Sequence, residues 1–343
     1  LEPKIFGFEN EKLMYKIVDC MTRCIITPLI RAPEKLKNEE YGLPGDVFLF
    51  AFLIYKMFSN KIEFSDKKPF RTKHQFYMNI RNGIRPKRPE NIPDSYCDLI
   101  QRCWKQDPAD RPTFQAIVNE LKDDKYAINE FGMKTNLGEF HEYQKRIDAC
   151  GTSNSKTGSN DLENQNKQLK TELDKLKRIL FPPEKKIDKN TKNYFIDEND
   201  EKNHQVLSKI GEGATSITYK VFDVLHKQIM CKKILKFVDN SEKSFKVMQN
   251  SIKEFEVLCS LNHPSICKAI GINTSEQIND SNINTKNGHE KQEMTTIALF
   301  LEFEDYSLTE ILDKMNNTLK TKIIIEIAHA MNYIHKKGLI HRD

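Results

Sequence analysis

Residues 206–223 read VLSKIGEGATSITYKVFD. Apolar residues alternate on both sides of a glycine pair, Gly211 and Gly213, which is the pattern of strand, tight turn, strand. Glycines there carry no side chain, so backbone N–H groups can approach phosphate oxygens. A G-x-G pair suits a plain hairpin turn equally well, so the neighbouring stretches of chain have to decide. KQIMCKKIL (227–235) is a second strand-like run with two lysines inside it, and a lysine in a buried strand needs a partner. SFKVMQNSIKEFEVLCSLNHPSI (244–266) reads as a helix carrying Glu254 and Glu256, ended near His263-Pro264. IALFLEF (297–303) is an apolar strand, and LKTKIIIEIAHAMNYIHKKGLIHRD (319–343) is a helix broken by Gly338.

Glycine loop, strand lysine, helix glutamate, H-P, strand and HRD, in that order, resemble a eukaryotic-type protein kinase. The resemblance implies roles position by position. Gly211 and Gly213 match the first two glycines over the ATP phosphates, and Ser216 stands where the third glycine usually is. Thr218 replaces the usual valine, with Val221 nearby. IMCK looks like V-A-I-K, which makes Lys232 the phosphate-binding lysine, or Lys233 if the register shifts by one. Glu254, nine residues before His263, matches the helix glutamate that pairs that lysine. Leu301 matches the gatekeeper, and Glu302 and Phe303 the hinge that meets adenine. Asp343 matches the aspartate that accepts the substrate hydroxyl proton. The implied cofactors are ATP and Mg2+. The implied partner is a protein substrate.

The start of the chain resembles the other half of the same family. TPLIRAPEKLKNEEYGLPGDVFLFAFLIYKMFSNKIEF (27–64) is similar to T-P-x-x-x-A-P-E followed by the D-V-x-S-F-G helix. NGIRPKRPENIPDSYCDLIQRCWKQDPADRPTF (82–114) is similar to the last helices, in the style of the tyrosine-kinase-like (TKL) branch. The resemblance implies a buried ion pair between Glu34 and Arg111, and an anchoring role for Asp46 toward the catalytic-loop backbone. Where the family has K-I-x-D-F-G, this chain has Lys4-Ile5-Phe6-Gly7-Phe8-Glu9, with Gly7 at the position of the metal-binding aspartate. The family's catalytic-loop asparagine and D-F-G would follow Asp343; an intact pair there would favour an enzyme, and their absence a scaffold. The chain opens on Leu1 rather than methionine, so a start upstream is also expected.

Between these parts the composition turns polar. DLENQNKQLKTELDKLKRIL (161–180) carries Leu162, Leu169 and Leu176 at seven-residue spacing, with Asn166, Leu173 and Leu180 four residues after each. That is an a/d seam, open to two readings: a parallel coiled coil giving a homodimer, or a helix packed on a neighbour. Pro182 and Pro183 stop it. Residues 273–296 are nearly free of apolar side chains and read as a surface insertion.

The expected architecture is therefore α+β and protein-kinase-like. Residues 1–122 form a mainly helical C-lobe portion, 123–204 a polar linker with a short coiled coil at 161–180, and 205–343 a β-rich N-lobe with the start of a second C-lobe. The simplest account is two partial kinase domains in tandem. The expected function is ATP-dependent phosphorylation of protein Ser/Thr by the parent protein, with little transfer by this chain itself. The rival is a pseudokinase scaffold, and the third reading is a coiled-coil assembly protein.

Composition closes off other classes. A net charge of +5 over 343 residues is too small and dispersed for a nucleic-acid footprint. The basic stretch around Arg81, Arg85, Lys87 and Arg88 reads as a solvated loop. VFLFAFLIYKMF (47–58) is too short to span a bilayer, so no membrane partner is expected. The eight cysteines lack paired C-x-x-C spacing, which argues reduced thiols and a cytoplasmic setting rather than zinc.

Overall fold

The computed structural model describes residues 30–59, 72–90, 92–127, 137–152, 204–212, 216–235, 242–276, 296–305 and 308–342. The Lys4–Glu9 stretch, the seam at 161–180, Gly213 and Asp343 lie outside the described residues.

The first segment is helical: α1 (Pro33–Leu36), α2 (Leu43–Phe58), α3 (Lys73–Arg81), α4 (Asp94–Cys103), α5 (Phe114–Glu120) and α6 (Leu137–Thr152). Helix α2 is apolar on nearly every face, so it can sit only inside the protein, and Phe48, Ala51, Phe52 and Ile54 are fully buried. Pro44 in its first turn costs nothing, because that N–H has no helical partner. Gly45 is required by space: a Cβ there would lie 2.4 Å from the Tyr41 ring. Thr113 caps α5 by accepting from the Ala116 N–H at 3.2 Å, and Thr72 caps α3 in the same way.

The second segment opens with β1 (His204–Glu212), β2 (Ser216–Asp223) and β3 (Gln228–Leu235), followed by α7 (Glu242–Ser260), β4 (Ala269–Glu276) and β5 (Thr296–Glu302). The strands form one antiparallel sheet in the order β1-β2-β3-β5-β4. Strand β4 takes in Asn273–Glu276, the start of the run expected to be an insertion. Asn273 pairs with Ala298 and Glu276 with Thr296, so backbone pairing extends the strand into a polar stretch of sequence. Then come α8 (Leu308–Ile311) and α9 (Asn317–Lys336).

The two faces of the sheet differ. Leu235, Ile297 and Leu299 pack on Ile252, Phe255 and Cys259 of α7. Val221, Met230, Ile234, Ala298 and Phe300 form a second cluster on the opposite face. Strand alternation produces this split, since successive side chains point to opposite sides.

The main core crosses the chain. Phe48, Phe52, Phe114 and Leu121 from the first segment share one continuous buried cluster with Leu258, Leu312, Ile324 and Ile334 from the second. Each such side chain contributes roughly 1.5–3 kcal/mol by burial. Packing also runs past the expected boundary at 122. Tyr126 is fully buried, Phe140 and Tyr143 of α6 are nearly so, and Gln144 donates to the Leu121 carbonyl at 2.9 Å. Single large side chains in a polar stretch suffice to dock it, and composition averages hide them.

Candidate functional site

Asp46, in the first turn of α2, is the hub where the two segments meet. Its carboxylate is 2% exposed. Oδ2 accepts the His341 N–H at 2.8 Å, and Oδ1 accepts the Arg342 N–H at 2.8 Å. The Tyr41 hydroxyl donates to Oδ1 at 3.0 Å, and His335 Nε2 lies 3.0 Å from Oδ2. Burial pushes the Asp46 carboxyl up. The His335 hydrogen bond, nearby His341 and the two backbone N–H groups outweigh it, leaving the pKa below the ordinary carboxylate range. The anchoring role implied for Asp46 is therefore met in geometry.

The chain reaches Asp46 because α9 stops sharply. Asn316 opens the helix by accepting from the Leu319 N–H at 2.8 Å. At its other end Gly338 takes φ +72°, the Gly338 N–H bonds to the His335 carbonyl at 2.9 Å, and the Leu339 N–H to the Ile334 carbonyl at 3.2 Å. This double bond around a left-handed glycine turns the chain back on itself. Arg342 then takes φ +71°, a costly conformation for a side-chain-bearing residue, held by its N–H bond to Asp46. Tyr41 and His335 were not legible as ligands of Asp46. The one available signal was Gly45, whose missing side chain admits the Tyr41 ring.

The second anchor is the Glu34–Arg111 pair. Arg111 Nη1 and Nη2 bind Oε1 and Oε2 at 2.8 Å each, with both side chains buried. Arg111 also donates to the carbonyls of Pro44 and Lys105 at 2.9 Å, and its guanidinium lies 5.0 Å from the Phe48 ring centroid. A buried pair with its remaining donors satisfied ties the α1 turn to the start of α2.

In the sheet, pairing decides which side chains share a face. Lys233 pairs with Thr218 and Leu299, and Gly211 also pairs with Thr218. Lys233 therefore stands on the α7 face, below the start of the glycine turn. Cys231 and Leu301 pair with each other on that face too. Lys232 pairs with Tyr219 and Phe300, and its ammonium lies 5.6 Å from the Phe300 ring centroid. Val221 pairs with Met230 and is fully buried on the Lys232 face. So Lys232 and Val221 share one side of the sheet, and Gly211, Thr218, Lys233 and Leu301 the other. Ser216 is buried opposite Leu235. The Glu254 side chain lies outside the described residues.

After β5 the Glu302 N–H donates to the Lys268 carbonyl at 3.0 Å. The Glu302 carboxylate accepts the Lys268 N–H at 3.2 Å. Phe303 is half-buried, with the Lys220 ammonium 4.2 Å from its ring centroid and 3.6 Å from the Asp305 carboxylate.

Among the described residues no group of three or more His, Cys, Asp or Glu side chains is arranged to hold a metal. Cys97, Cys103 and Cys259 are buried free thiols, and burial pushes Cys103 and Cys259 up to about 12. No described helix is long and apolar enough to cross a membrane. The basic stretch is folded inward at Arg85, which binds the Trp104 carbonyl and Gln106 at 2.8 Å. Burial pulls its guanidinium down to about 10.

Residues 10–121 match the family model described as protein tyrosine and serine/threonine kinase, and residues 204–343 match that of the protein kinase domain. Both segments thus carry protein-kinase-domain sequence, and helices with one antiparallel sheet fit a protein-kinase-like α+β fold. A probable serine/threonine-protein kinase of Dictyostelium discoideum is 32% identical over 120 residues, which is 35% of this chain and 13% of that protein. The dual specificity protein kinase shkA of the same organism is 34% identical over 98 residues, 28% of this chain and 18% of that protein. Serine/threonine-protein kinase STY17 of Arabidopsis thaliana is 30% identical over 90 residues, 26% of this chain and 15% of that protein. The match spans less than a fifth of each of these relatives.

Proposed function

We propose that the parent protein is an ATP-dependent protein kinase of the TKL type acting on Ser/Thr hydroxyls, and that this chain carries its nucleotide-holding and loop-anchoring parts. The observation that carries the reading is the Asp46 carboxylate bound to two consecutive backbone N–H groups immediately before Asp343. Fixing that backbone from a buried helix orients the next side chain, and phosphoryl transfer depends on positioning more than on covalent help from the protein.

The residues suit ATP. Gly211 and Gly213 offer backbone N–H donors, and a β3 lysine can neutralise phosphate charge. Lys233 is the better-placed lysine, because it shares a face with Gly211 and with α7, the helix that carries Glu254. Lys232, the direct motif match, stands on the other face. Glu302 and Phe303 follow Leu301 at the end of β5, where adenine would be met. Bound ATP supplies the transferable phosphoryl group. The chain's part is to hold the phosphates through the lysine, and through Asp343 to take the proton from the acceptor hydroxyl. For Mg2+ the fit fails at one position, since Gly7 offers no carboxylate where the family's metal ligand stands.

That glycine favours a second reading, a pseudokinase scaffold that binds nucleotide without transfer. Two measurements on the full chain separate the readings. ATP with Mg2+ should raise the melting temperature, and Lys233→Met should abolish the rise while Lys232→Met keeps it. Loss only in Lys232→Met would reverse the lysine assignment, and no rise in the unsubstituted chain would contradict nucleotide holding. Radiolabel transfer from ATP to a generic protein acceptor, above the Lys233→Met control, supports the enzyme. Stabilisation without transfer supports the scaffold.

A further inference from the structure

We propose that residues 30–152 and 204–342 are complementary parts of one folding unit, assembled within a single chain in permuted order, rather than remnants of two separate domains. The inference rests on the contacts themselves and holds whether or not the chain transfers phosphate.

Helix α9 joins the two parts. It belongs to the second segment, yet along its length it is met by the first. The Tyr96 hydroxyl donates to Thr321 Oγ1 at 3.2 Å, inside the core. The Tyr143 hydroxyl of α6 donates to the Glu326 carboxylate. Asn332 Nδ2 donates to Gln115 Oε1 at 3.0 Å. The His335 ring stands edge-on to Phe114, centroids 5.0 Å apart, and reaches Asp46. From Thr321 to His335 a helix rises about 21 Å, so these contacts run along most of the element. Thr321, Glu326 and Asn332 are all buried. Buried polar groups on α9 that find partners in the first segment are the mark of an interior, because such bonds are costly to leave unmade.

The apolar evidence agrees. Ile323, Ile324, Ile325, Ala328, Ala330 and Ile334 are at most 2% exposed, so apolar neighbours surround α9 on most sides. The second segment also supplies Leu258, Leu261, Ile266, Leu312 and Met315 to that cluster, and the first segment supplies side chains from α2 through α6 together with Ala32, Ile92, Trp104, Leu121 and Tyr126. The Asp46 bonds to His341 and Arg342 then close the unit at backbone level.

Assembly within one chain is geometrically easy. The 51 residues from 153 to 203 can extend to roughly 170 Å. A compact unit of this size is roughly 45 Å across. A tethered partner also outcompetes a second copy at ordinary concentrations, because its effective concentration is in the millimolar range.

The test uses the sole tryptophan, Trp104, buried in the first segment against Phe52 and Tyr55. In the full chain, thermal unfolding is followed by Trp104 fluorescence while substitutions are made in the second segment. Ile324→Ala should lower the Trp104 midpoint by about 5–10 °C, and the milder Thr321→Val by about 2–4 °C. An Ile324→Ala chain that never buries Trp104 would support the proposal as well. A Trp104 midpoint unmoved by either change, with amides of 317–336 opening earlier by themselves, would overturn it. Sedimentation settles cis assembly: a monomer showing the full Trp104 transition supports it. A dimer whose midpoint rises with protein concentration would overturn it.

Discussion

The helical segment and the sheet solve different problems with different chemistry. In residues 30–127 the buried charges are locked: Glu34 and Arg111 bind through two parallel bonds, and Asp46 accepts from a hydroxyl and two backbone N–H groups. The sheet leaves apolar side chains open at one corner, with Val206 54%, Leu225 69% and Ile229 43% exposed. The helical part behaves as a frame whose polar groups set positions. The sheet carries the lysines and glycines proposed to hold nucleotide. The difference teaches that the anchoring chemistry and the proposed binding chemistry lie in separate stretches of this chain, and that α9 is where they are joined.

The contrast breaks most visibly at Glu34. Glu34→Ala leaves the Arg111 guanidinium buried without its carboxylate, which costs about 3–5 kcal/mol. Denaturant titration read by Trp104 should show that loss, and a cost below about 1 kcal/mol would mean the pair is not locked.

Asp46→Ala comes next, at about 2–4 kcal/mol, because two N–H groups and the Tyr41 hydroxyl lose their acceptor. Here the effect should reach the second segment, with residues 339–342 losing amide protection. If only residues near α2 respond, the joint at Asp46 is cosmetic.

Acid should loosen the frame. The Asp46 carboxyl is held below its ordinary range despite burial, as is Glu120, which Arg102 and Tyr126 hold down against its own burial. A depressed carboxyl contributes stability that is present above its unfolded value, about 4, and is lost as pH falls through the folded value. The Trp104 midpoint should therefore be flat from pH 7 to about 5 and decline steadily below about 4. Asp46→Asn should flatten part of that decline, and an unchanged slope would take Asp46 out of the acid response.

The smallest effect belongs to the open edge of the sheet. Val206→Ser on β1 should move stability by no more than about 0.5 kcal/mol, since the side chain is already half in water. A larger loss would show that β1 is covered in solution.

Much of this was legible in the sequence, for identifiable reasons. The apolar saturation of 47–58 leaves α2 nowhere to go but inside. Glycine alternation marks the β1–β2 turn, and Gly338 marks the end of α9. The Glu34–Arg111 pair and the anchor at Asp46 followed from motif position. What was hidden was hidden by physics that composition does not carry. One-residue register in β3 changes which lysine faces α7, and only the pairing of Lys233 with Leu299 fixes it. Tyr126, Phe140 and Tyr143 dock a stretch whose average is polar. The bonds from Tyr96 to Thr321 and from Gln115 to Asn332 join residues about 220 apart in sequence, beyond any local pattern.

The most direct measurement of the central claim is amide hydrogen exchange at His341 and Arg342 in the intact chain. If the Asp46 carboxylate of the first segment holds the second segment's backbone, both amides exchange slowly, opening only with the unfolding that exposes Trp104, and Asp46→Ala releases both. Exchange at the rate of free chain in the unsubstituted protein, with Trp104 still buried, would contradict it.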